Sequence, residues 1–152
     1  MIEYSLIKLI PADESHHEFS YQLTVTTMGD YTTKILGWDD KTQRKYHTHD
    51  WQTKRPLIIM YGNQPIGTIY MFENENYIEI GQFYLLPEYQ NEGIGSYLLS
   101  SVLENSDKTG LLAKLVVLKV NPAISLYRRH GFKIVDSNEY QYLMEREPGG
   151  SA

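Results

Sequence analysis

A long apolar run that passes through two closely spaced glycines into a helical pattern places the strongest constraint on the fold. The run YIEIGQFYLL (77–86) is typical of a strand, and Gly93 and Gly95 follow it after a short polar stretch. Apolar residues at helical spacing come next: Ile94, Leu98, Leu99, Val102 and Leu103. The following run, LLAKLVVLKV, is nearly continuous and β-branched, which favours a central strand covered on both faces. This succession predicts a helix packed on a sheet.

The remaining patterns supply the other strands and helices. In chain order they predict a strand in IEYSLIKLI, helices over 12–28 and 39–54, two antiparallel strands in PLIIMYGNQPIGTIYMF, a helix over 122–130, and two strands in FKIVD and YQYLMER. Asp39 is the expected N-cap of the second helix, and Gly29 is expected to end the first. Asn121 is expected to cap the short helix, with Pro122 in its first turn and Gly131 after its end. The predicted class is α/β or α+β, with a mixed central sheet of about six to seven strands flanked by about four helices.

Length, charge and cysteine count exclude several classes of protein. A chain of 152 residues suits one domain, expected over 1–146, with a disordered tail at 147–152. The 14 Lys and Arg against 19 Asp and Glu give a net charge of -5, which without a basic run argues against a nucleic-acid partner. The absence of cysteine excludes a thiolate metal site and a cysteine nucleophile, and it fits a reducing compartment. Since no apolar run approaches the ~20 residues that span a bilayer, we expect a cytoplasmic protein without a membrane partner.

The Gly-x-Gly pair has two interpretations. Backbone N–H groups at such a junction bind phosphate well, because glycine permits close approach and a helix N-terminus carries partial positive charge. The alternative is an ordinary turn before a helix. A Walker loop would need a lysine after the second glycine, where Ser96 stands, and a dinucleotide fingerprint would need three glycines early in a βαβ unit. The pair alone leaves a different kind of phosphate loop and a plain turn both open.

Two segments carry motifs in a fixed order, separated by a helix and a strand. In FYLLPEYQNEGIGSYLL the motif residues are Gln90, Gly93 and Gly95. In NPAISLYRRHGF they are Asn121, Leu126, Tyr127, Gly131 and Phe132. The first segment resembles the pyrophosphate loop of the GCN5-related N-acetyltransferase (GNAT) family, and the second resembles that family's second signature. The close resemblance covers roughly residues 77–146.

The resemblance implies a single GNAT-like domain that uses acetyl-coenzyme A as cosubstrate. Backbone groups of Phe83, Tyr84 and Leu85 would hold the pantetheine arm, which the amide of Asn121 would also contact. After Gln90, the main-chain N–H groups that would surround the pyrophosphate belong to Asn91, Glu92, Gly93, Ile94, Gly95 and Ser96. Because such binding uses backbone groups, Glu92 is tolerable if its carboxylate points to solvent. Many relatives have a basic or small residue at this position, so the departure is expected to weaken affinity.

The implied activity is transfer of an acetyl group to a primary amine of a small molecule or peptide, by direct attack in a ternary complex. Tyr127 stands where the family places the tyrosine that protonates the leaving thiolate; the alternative is a tyrosine that only packs between helix and sheet. Glu79 is the candidate base, because a carboxylate can help to deprotonate the ammonium and because it shares a face with Leu85 on an unbulged strand. A bulge would reverse that placement, and an exposed strand glutamate is the alternative.

Three further expectations concern metal, function class and assembly. His47 and His49 suggest a metal site, but positions two apart on a helix diverge by roughly 200°, and no third ligand accompanies them. We therefore expect no metal. A catalytically inert acetyl-coenzyme A-binding or protein-interaction domain is the alternative function. The resemblance is also compatible with a homodimer.

Overall fold

The computed structural model of the chain describes residues 1–37 and 39–149, except for the side chains of residues 34–36. Its strands and α-helices, in chain order, are β1 (Ile7–Pro11), α1 (His17–Leu36), α2 (Asp40–Thr53), β2 (Leu57–Tyr61), β3 (Gln64–Glu73), β4 (Tyr77–Leu85), α3 (Ile94–Thr109), β5 (Leu112–Leu118), α4 (Ile124–Arg129), β6 (Lys133–Ser137) and β7 (Gln141–Arg146). The predicted order of elements is confirmed. Residues 150–152 of the predicted tail lie outside the described part of the chain. None of the helices described is long and apolar enough to cross a membrane.

The strands form a mixed sheet. Across the described residues they hydrogen-bond in the order β1-β2-β3-β4-β5-β7-β6. β1 with β2, β2 with β3, β5 with β7 and β6 with β7 are antiparallel pairs, whereas β4 and β5 are parallel. Seven strands accompanied by four α-helices, in residues 1–37 and 39–149, confirm the predicted fold class.

The chain divides into two compact units. Unit 1 comprises residues 1–70 and 82–92, and unit 2 comprises residues 71–81 together with the chain from Gly93 onward. The core of unit 1 includes side chains from β2 and β3 that are fully buried: Ile58, Ile59, Ile66 and Ile69. The core of unit 2 includes the predicted apolar face of α3, whose residues are all buried: Ile94, Leu98, Leu99, Val102 and Leu103. The single domain expected over 1–146 stays a prediction.

The first helix is longer than its pattern predicts. α1 continues past Gly29 and ends before Gly37, whose φ of 72° lies in the left-handed region. Gly29 keeps helical geometry, and its carbonyl oxygen accepts a hydrogen bond from Oγ1 of Thr33 at 2.7 Å. The prediction that Gly29 ends the helix is therefore wrong. A glycine ends a helix where the chain adopts the left-handed conformation, and that happens eight residues later.

The cover of strand β5 also differs from the prediction. Ala113, Leu115 and Val117 are buried on one face, while Val116 between them is 57% exposed. The expectation of a strand covered on both faces is wrong, because burial alternates as it does in a sheet covered on one side. The prediction overestimated the burial of β5 because apolar residues such as Val116 also occupy its exposed face.

Helices α1 and α2 pack through a buried histidine. The Oγ atom of Ser20 lies 2.9 Å from Nε2 of His47, and the rings of His17 and Trp51 pack against the imidazole. Nδ1 of His47 is buried without a hydrogen-bond partner among the described residues. Burial, reinforced by the charges of His17 and Arg44, lowers the pKa of His47 to about 4. The neutral imidazole is thus the form that the helix pair accommodates.

We expect acid to destabilise the protein through His47. Its pKa is about 4 in the folded state and 6.5 in its ordinary environment, so its contribution to stability is complete above pH 6.5, shrinks as the pH falls toward 4, and is constant below that. The loss is at most about 3 kcal/mol in the free energy of unfolding. Urea titrations between pH 4 and 7 measure it. His47→Gln should flatten this part of the pH dependence, whereas His49→Gln, at an exposed position of α2, should not. An unchanged slope in His47→Gln would contradict the assignment.

Candidate active site

Strand β4 has a backbone irregularity at Gln82, the first of its residues in unit 1, whose φ of 44° lies in the left-handed region. The carbonyl oxygen of Gln82 accepts a hydrogen bond from Oγ1 of Thr68 at 2.7 Å, and its side-chain Nε2 donates to the carbonyl oxygen of Lys54 at 2.8 Å. A left-handed residue breaks the alternation of side chains along a strand. The assumption of an unbulged strand between Glu79 and Leu85 is therefore wrong, and counting residues does not place these two side chains on one face.

The backbone of Phe83–Leu85 lies against β3 at a glycine. A Cβ atom added to Gly67 would stand 2.2 Å from the carbonyl oxygen of Tyr84 and 3.2 Å from Cα of Leu85. Next to this contact, the N–H of Leu86 donates to the carbonyl oxygen of Ile66 at 2.8 Å. Only glycine permits this close approach. The segment that the resemblance assigns to the pantetheine arm is thus positioned by its contact with β3.

Tyr84 is the titratable side chain of this segment. Burial raises the pKa of the Tyr84 phenol to about 12, and the negative charge of Asp50 acts in the same direction. The phenol is therefore a neutral hydrogen-bonding group at any physiological pH. Tyr84 belongs to the segment that the resemblance assigns to the pantetheine arm.

The glycine loop joins a 3-10 turn at Pro87–Tyr89 to the first turn of α3. Nε2 of Gln90 donates to the carbonyl oxygen of Leu85 at 2.9 Å, which ties the loop to the end of β4. Asn91 then adopts a φ of 61° and Gly93 a φ of 81°, and α3 begins at the next residue. The side chain of Glu92 is exposed. Two left-handed residues thus precede α3, and its N-cap, Gly93, has no side chain that could accept a hydrogen bond. The first backbone N–H groups of α3 can therefore bind an anion.

The two glycines of the motif have different structural roles. Gly93 supplies the left-handed N-cap conformation. Gly95 is helical, and a Cβ atom added to it would lie 3.3 Å from Cδ2 of Leu126 in α4. In unit 2 the second glycine therefore allows the start of α3 to approach α4 closely. This packing role is not visible in the spacing of the motif.

The second signature forms a turn followed by a short helix in unit 2. Oδ1 of Asn121 accepts a hydrogen bond from the N–H of Ala123 at 2.9 Å, and Ala123 is the N-cap of α4. The prediction that Asn121 caps a helix starting at Pro122 is wrong by two residues. The side chain organises an Asx turn ahead of the helix, because the helix begins only at Ile124. Gly131, with a φ of 95°, follows the helix as predicted.

Tyr127 is a buried residue of α4, with 6% of its surface exposed. Its ring meets that of Phe132 edge to face, with centroids 5.9 Å apart, and its carbonyl oxygen accepts a hydrogen bond from the N–H of Phe132 at 3.1 Å. The neighbouring Arg128 and Arg129 are both exposed. Tyr127 therefore lies on the buried side of α4, where packing holds its ring, whereas the two arginines are exposed to solvent.

His130, which the sequence argument did not single out, contacts the loop end of α3. Its Nε2 lies 2.9 Å from Oγ of Ser96. Nε of the buried Arg146 donates to the carbonyl oxygen of His130 at 2.9 Å, and Nη1 of Arg146 pairs with Oδ1 of Asp107 at 2.8 Å. Burial, with the positive charges of Arg129 and Arg146, lowers the pKa of His130. No local sequence signal indicates this contact, since Ser96 and His130 are 34 positions apart.

Glu79 lies in the part of β4 that pairs with β5. The three parallel pairs are Tyr77 with Leu112, Ile78 with Ala113, and Glu79 with Lys114. Glu79 is half-buried, whereas its strand neighbours Ile78 and Ile80 are buried. Its side chain therefore belongs to the less covered face of the strand.

The two histidines considered as metal ligands differ in environment. His47 is buried between helices and His49 is exposed. Within residues 1–37 and 39–149 there is no group of three or more His, Cys, Asp or Glu side chains that could hold a metal ion. The buried position of His47 is explained by helix packing.

Comparison with known families identifies a match over most of the chain. The family model described as "Acetyltransferase (GNAT) family" matches residues 22–132. A curated relative, the spermidine N(1)-acetyltransferase of Thermoplasma acidophilum, is 33% identical over 84 residues. The match covers 54% of this chain and 52% of the relative, so the chain spans about half the length of the curated relative that it matches.

Solved structures share the fold. The PaiA N-acetyltransferase from Thermoplasma acidophilum, in complex with coenzyme A, is similar with a TM-score of 0.73 and 20% identity, covering 93% of this chain and 98% of that one. An acetyltransferase from Thermus thermophilus is similar with a TM-score of 0.69 and 16% identity, covering 93% and 96%. At these identities the similarity establishes the fold.

We expect Gly67→Ala to disrupt the Phe83–Leu85 segment. The new methyl group would stand 2.2 Å from the carbonyl oxygen of Tyr84, so the two backbones must separate, at a cost of about 1–3 kcal/mol or more. Thermal unfolding followed by circular dichroism measures the loss. Gly29→Ala is the matched control, because its methyl group has space in α1 and should stabilise the protein slightly. Equal melting temperatures for Gly67→Ala and wild type would show that the close approach is unimportant.

Proposed function

Since the chain belongs to the acetyltransferase (GNAT) family, we propose that it is an N-acetyltransferase that transfers the acetyl group of acetyl-coenzyme A to a primary amine of a small molecule or peptide. The observation that carries this proposal is the loop before α3. It has the family's motif residues, and left-handed conformations at Asn91 and Gly93 precede a helix N-terminus without a side-chain cap. That local geometry suits an anion bound by backbone N–H groups.

The proposed cosubstrate-binding residues fall into three groups. The segment from Gln90 to Ser96 would bind the pyrophosphate through main-chain N–H groups. The backbone of Phe83, Tyr84 and Leu85 would bind the pantetheine arm, and its contact with Gly67 supports this role because one side of the segment is fixed. Asn121 would add a contact from its side chain. The exposed Glu92 side chain is compatible with a loop that binds phosphate through backbone rather than side-chain groups.

The proposed chemistry needs an acid and a base. Acetyl-coenzyme A supplies an activated thioester, and a neutral amine attacks its carbonyl carbon directly. Tyr127 would protonate the departing sulfur; its packing against Phe132 holds the phenol ring in place. Glu79 would accept the ammonium proton directly or through water, since it is the half-buried carboxylate of β4. This route uses no covalent acyl-enzyme.

The acceptor proposed is a cationic amine. The curated relative is named for spermidine, a polyamine, and this chain carries a net charge of -5. Several carboxylates are already paired: Asp40 bonds Tyr21 and Arg44, and Glu73 accepts a hydrogen bond from Asn105. These are weaker candidates for amine recognition. A cytoplasmic location and a homodimer complete the proposal; fractionation of cells and light scattering of the purified protein test them.

The function is tested by titrating the protein with coenzyme A in a calorimeter and by measuring thiol release from acetyl-coenzyme A with a panel of amines that includes spermidine. We expect dissociation constants between about 1 µM and 1 mM, and turnover with at least one amine. Binding without turnover on any amine would favour an inert binding domain, and absence of binding would overturn the proposal.

Two glycines provide matched variants for this titration. Gly93→Ala should weaken binding, because alanine disfavours the φ of 81° that shapes the loop. Gly110→Ala imposes similar strain, at a φ of 72°, on the opposite end of α3 and should leave binding unchanged.

The acid and base assignments are separable by the pH dependence of turnover. Glu79→Gln should lower kcat about 100-fold near pH 7, and the deficit should shrink toward pH 10, where solution supplies neutral amine. Tyr127→Phe should lower kcat by a similar factor with no recovery at high pH, and its affinity for coenzyme A should match that of wild type. Wild-type turnover in Tyr127→Phe would remove it from the mechanism. A deficit in Glu79→Gln that is independent of pH would argue against a base.

A further inference from the structure

The N-terminal turn, residues Glu3–Leu6, is attached to unit 1 at two points. The N–H of Glu3 donates to the phenol oxygen of Tyr61 at 3.0 Å, and the carbonyl oxygen of Leu6 accepts a hydrogen bond from the N–H of Gly62 at 2.9 Å. The ring of Tyr61 in turn packs against that of Tyr89, with centroids 5.8 Å apart. The turn is thus held beside the stretch of chain that leads into the glycine loop.

One side chain of this turn reaches the loop itself. The hydroxyl of Tyr4 donates to the backbone carbonyl oxygen of Glu92 at 2.9 Å, across 88 positions of sequence. The bond is made to the main chain, so it does not depend on the identity of the side chain at position 92. It acts on the peptide unit that joins Glu92 to Gly93.

Orienting that carbonyl also orients an N–H group. A peptide unit is planar and trans, so its C=O and N–H bonds point in opposite directions. When the Glu92 oxygen is held by Tyr4, the N–H of Gly93 is held on the opposite side of the same plane. Rotation of this peptide changes φ of Gly93, and glycine accepts many values of φ.

We propose that Tyr4 is a positioning residue, which holds the Glu92–Gly93 peptide in the orientation where the Gly93 N–H donates to the pyrophosphate of acetyl-coenzyme A. The inference rests on the proposed function. The proposed role acts through the loop backbone and invokes no contact between Tyr4 and the cosubstrate. Its effect is therefore confined to ligands that carry the pyrophosphate.

The test compares Tyr4→Phe with Tyr46→Phe. Tyr46 is an exposed tyrosine of α2, so the control makes the same chemical change away from the loop. Tyr4→Phe should weaken coenzyme A binding by about 3- to 10-fold in calorimetry, the range expected for one neutral hydrogen bond. With S-acetyl-pantetheine, which lacks the pyrophosphate, kcat/KM should equal that of wild type. Tyr46→Phe should match wild type with both ligands.

A second readout needs no ligand. The amide chemical shifts of Gly93, followed by NMR in the free protein, should change in Tyr4→Phe, because the carbonyl of the same peptide loses its hydrogen bond, and they should stay unchanged in Tyr46→Phe. Wild-type affinity for coenzyme A in Tyr4→Phe would overturn the inference while leaving the proposed function intact. Equal losses with coenzyme A and S-acetyl-pantetheine would also overturn it, because they would indicate a general structural role. Failure of the wild-type protein to bind coenzyme A would overturn both proposals.

Discussion

The close approach of Gly67 to the carbonyl oxygen of Tyr84 is the constraint on which unit 1 depends most. A strand that carries a left-handed residue would ordinarily lose its register with a neighbour. Here Gln82 is bonded through both its carbonyl oxygen and its side chain, and the absence of a Cβ atom at Gly67 lets the following residues lie against β3. The backbone of Phe83–Leu85 is consequently defined by β3 in spite of the irregularity. The glycine loop begins from this fixed point, through the bond of Gln90 to Leu85.

Polar groups in unit 2 are arranged around a different set of contacts. The buried Arg146 joins β7 to α3 through Asp107 and to the end of α4 through the carbonyl oxygen of His130. His130 then contacts Ser96 in the first turn of α3. A buried guanidinium needs such partners, since an unpaired charge would be costly to bury. Leu126 against Gly95 adds an apolar contact between the same helices. Together these contacts position the helix that carries Tyr127.

The motif glycines illustrate how one pattern can serve two physical purposes. Gly93 is required for its backbone conformation, and Gly95 for the space it leaves beside Leu126. A pattern search treats the two alike. Both glycines were expected to belong to a phosphate loop, and the packing role of the second depends on the position of α4 in the structure.

The sequence by itself determined the order of strands and helices, the buried face of α3 and the family, because apolar periodicity and two spaced motifs are local properties of the chain. It placed the end of α1 and the start of α4 wrongly, since Gly29 and Asn121 each have more than one acceptable local structure. Tertiary structure alone decided the irregularity at Gln82, the Ser96–His130 contact and the bond from Tyr4 to Glu92. These features are contacts between residues far apart in the chain, or they depend on such contacts. A local sequence pattern cannot predict them, because a hydrogen bond across 88 positions depends on how the whole unit packs.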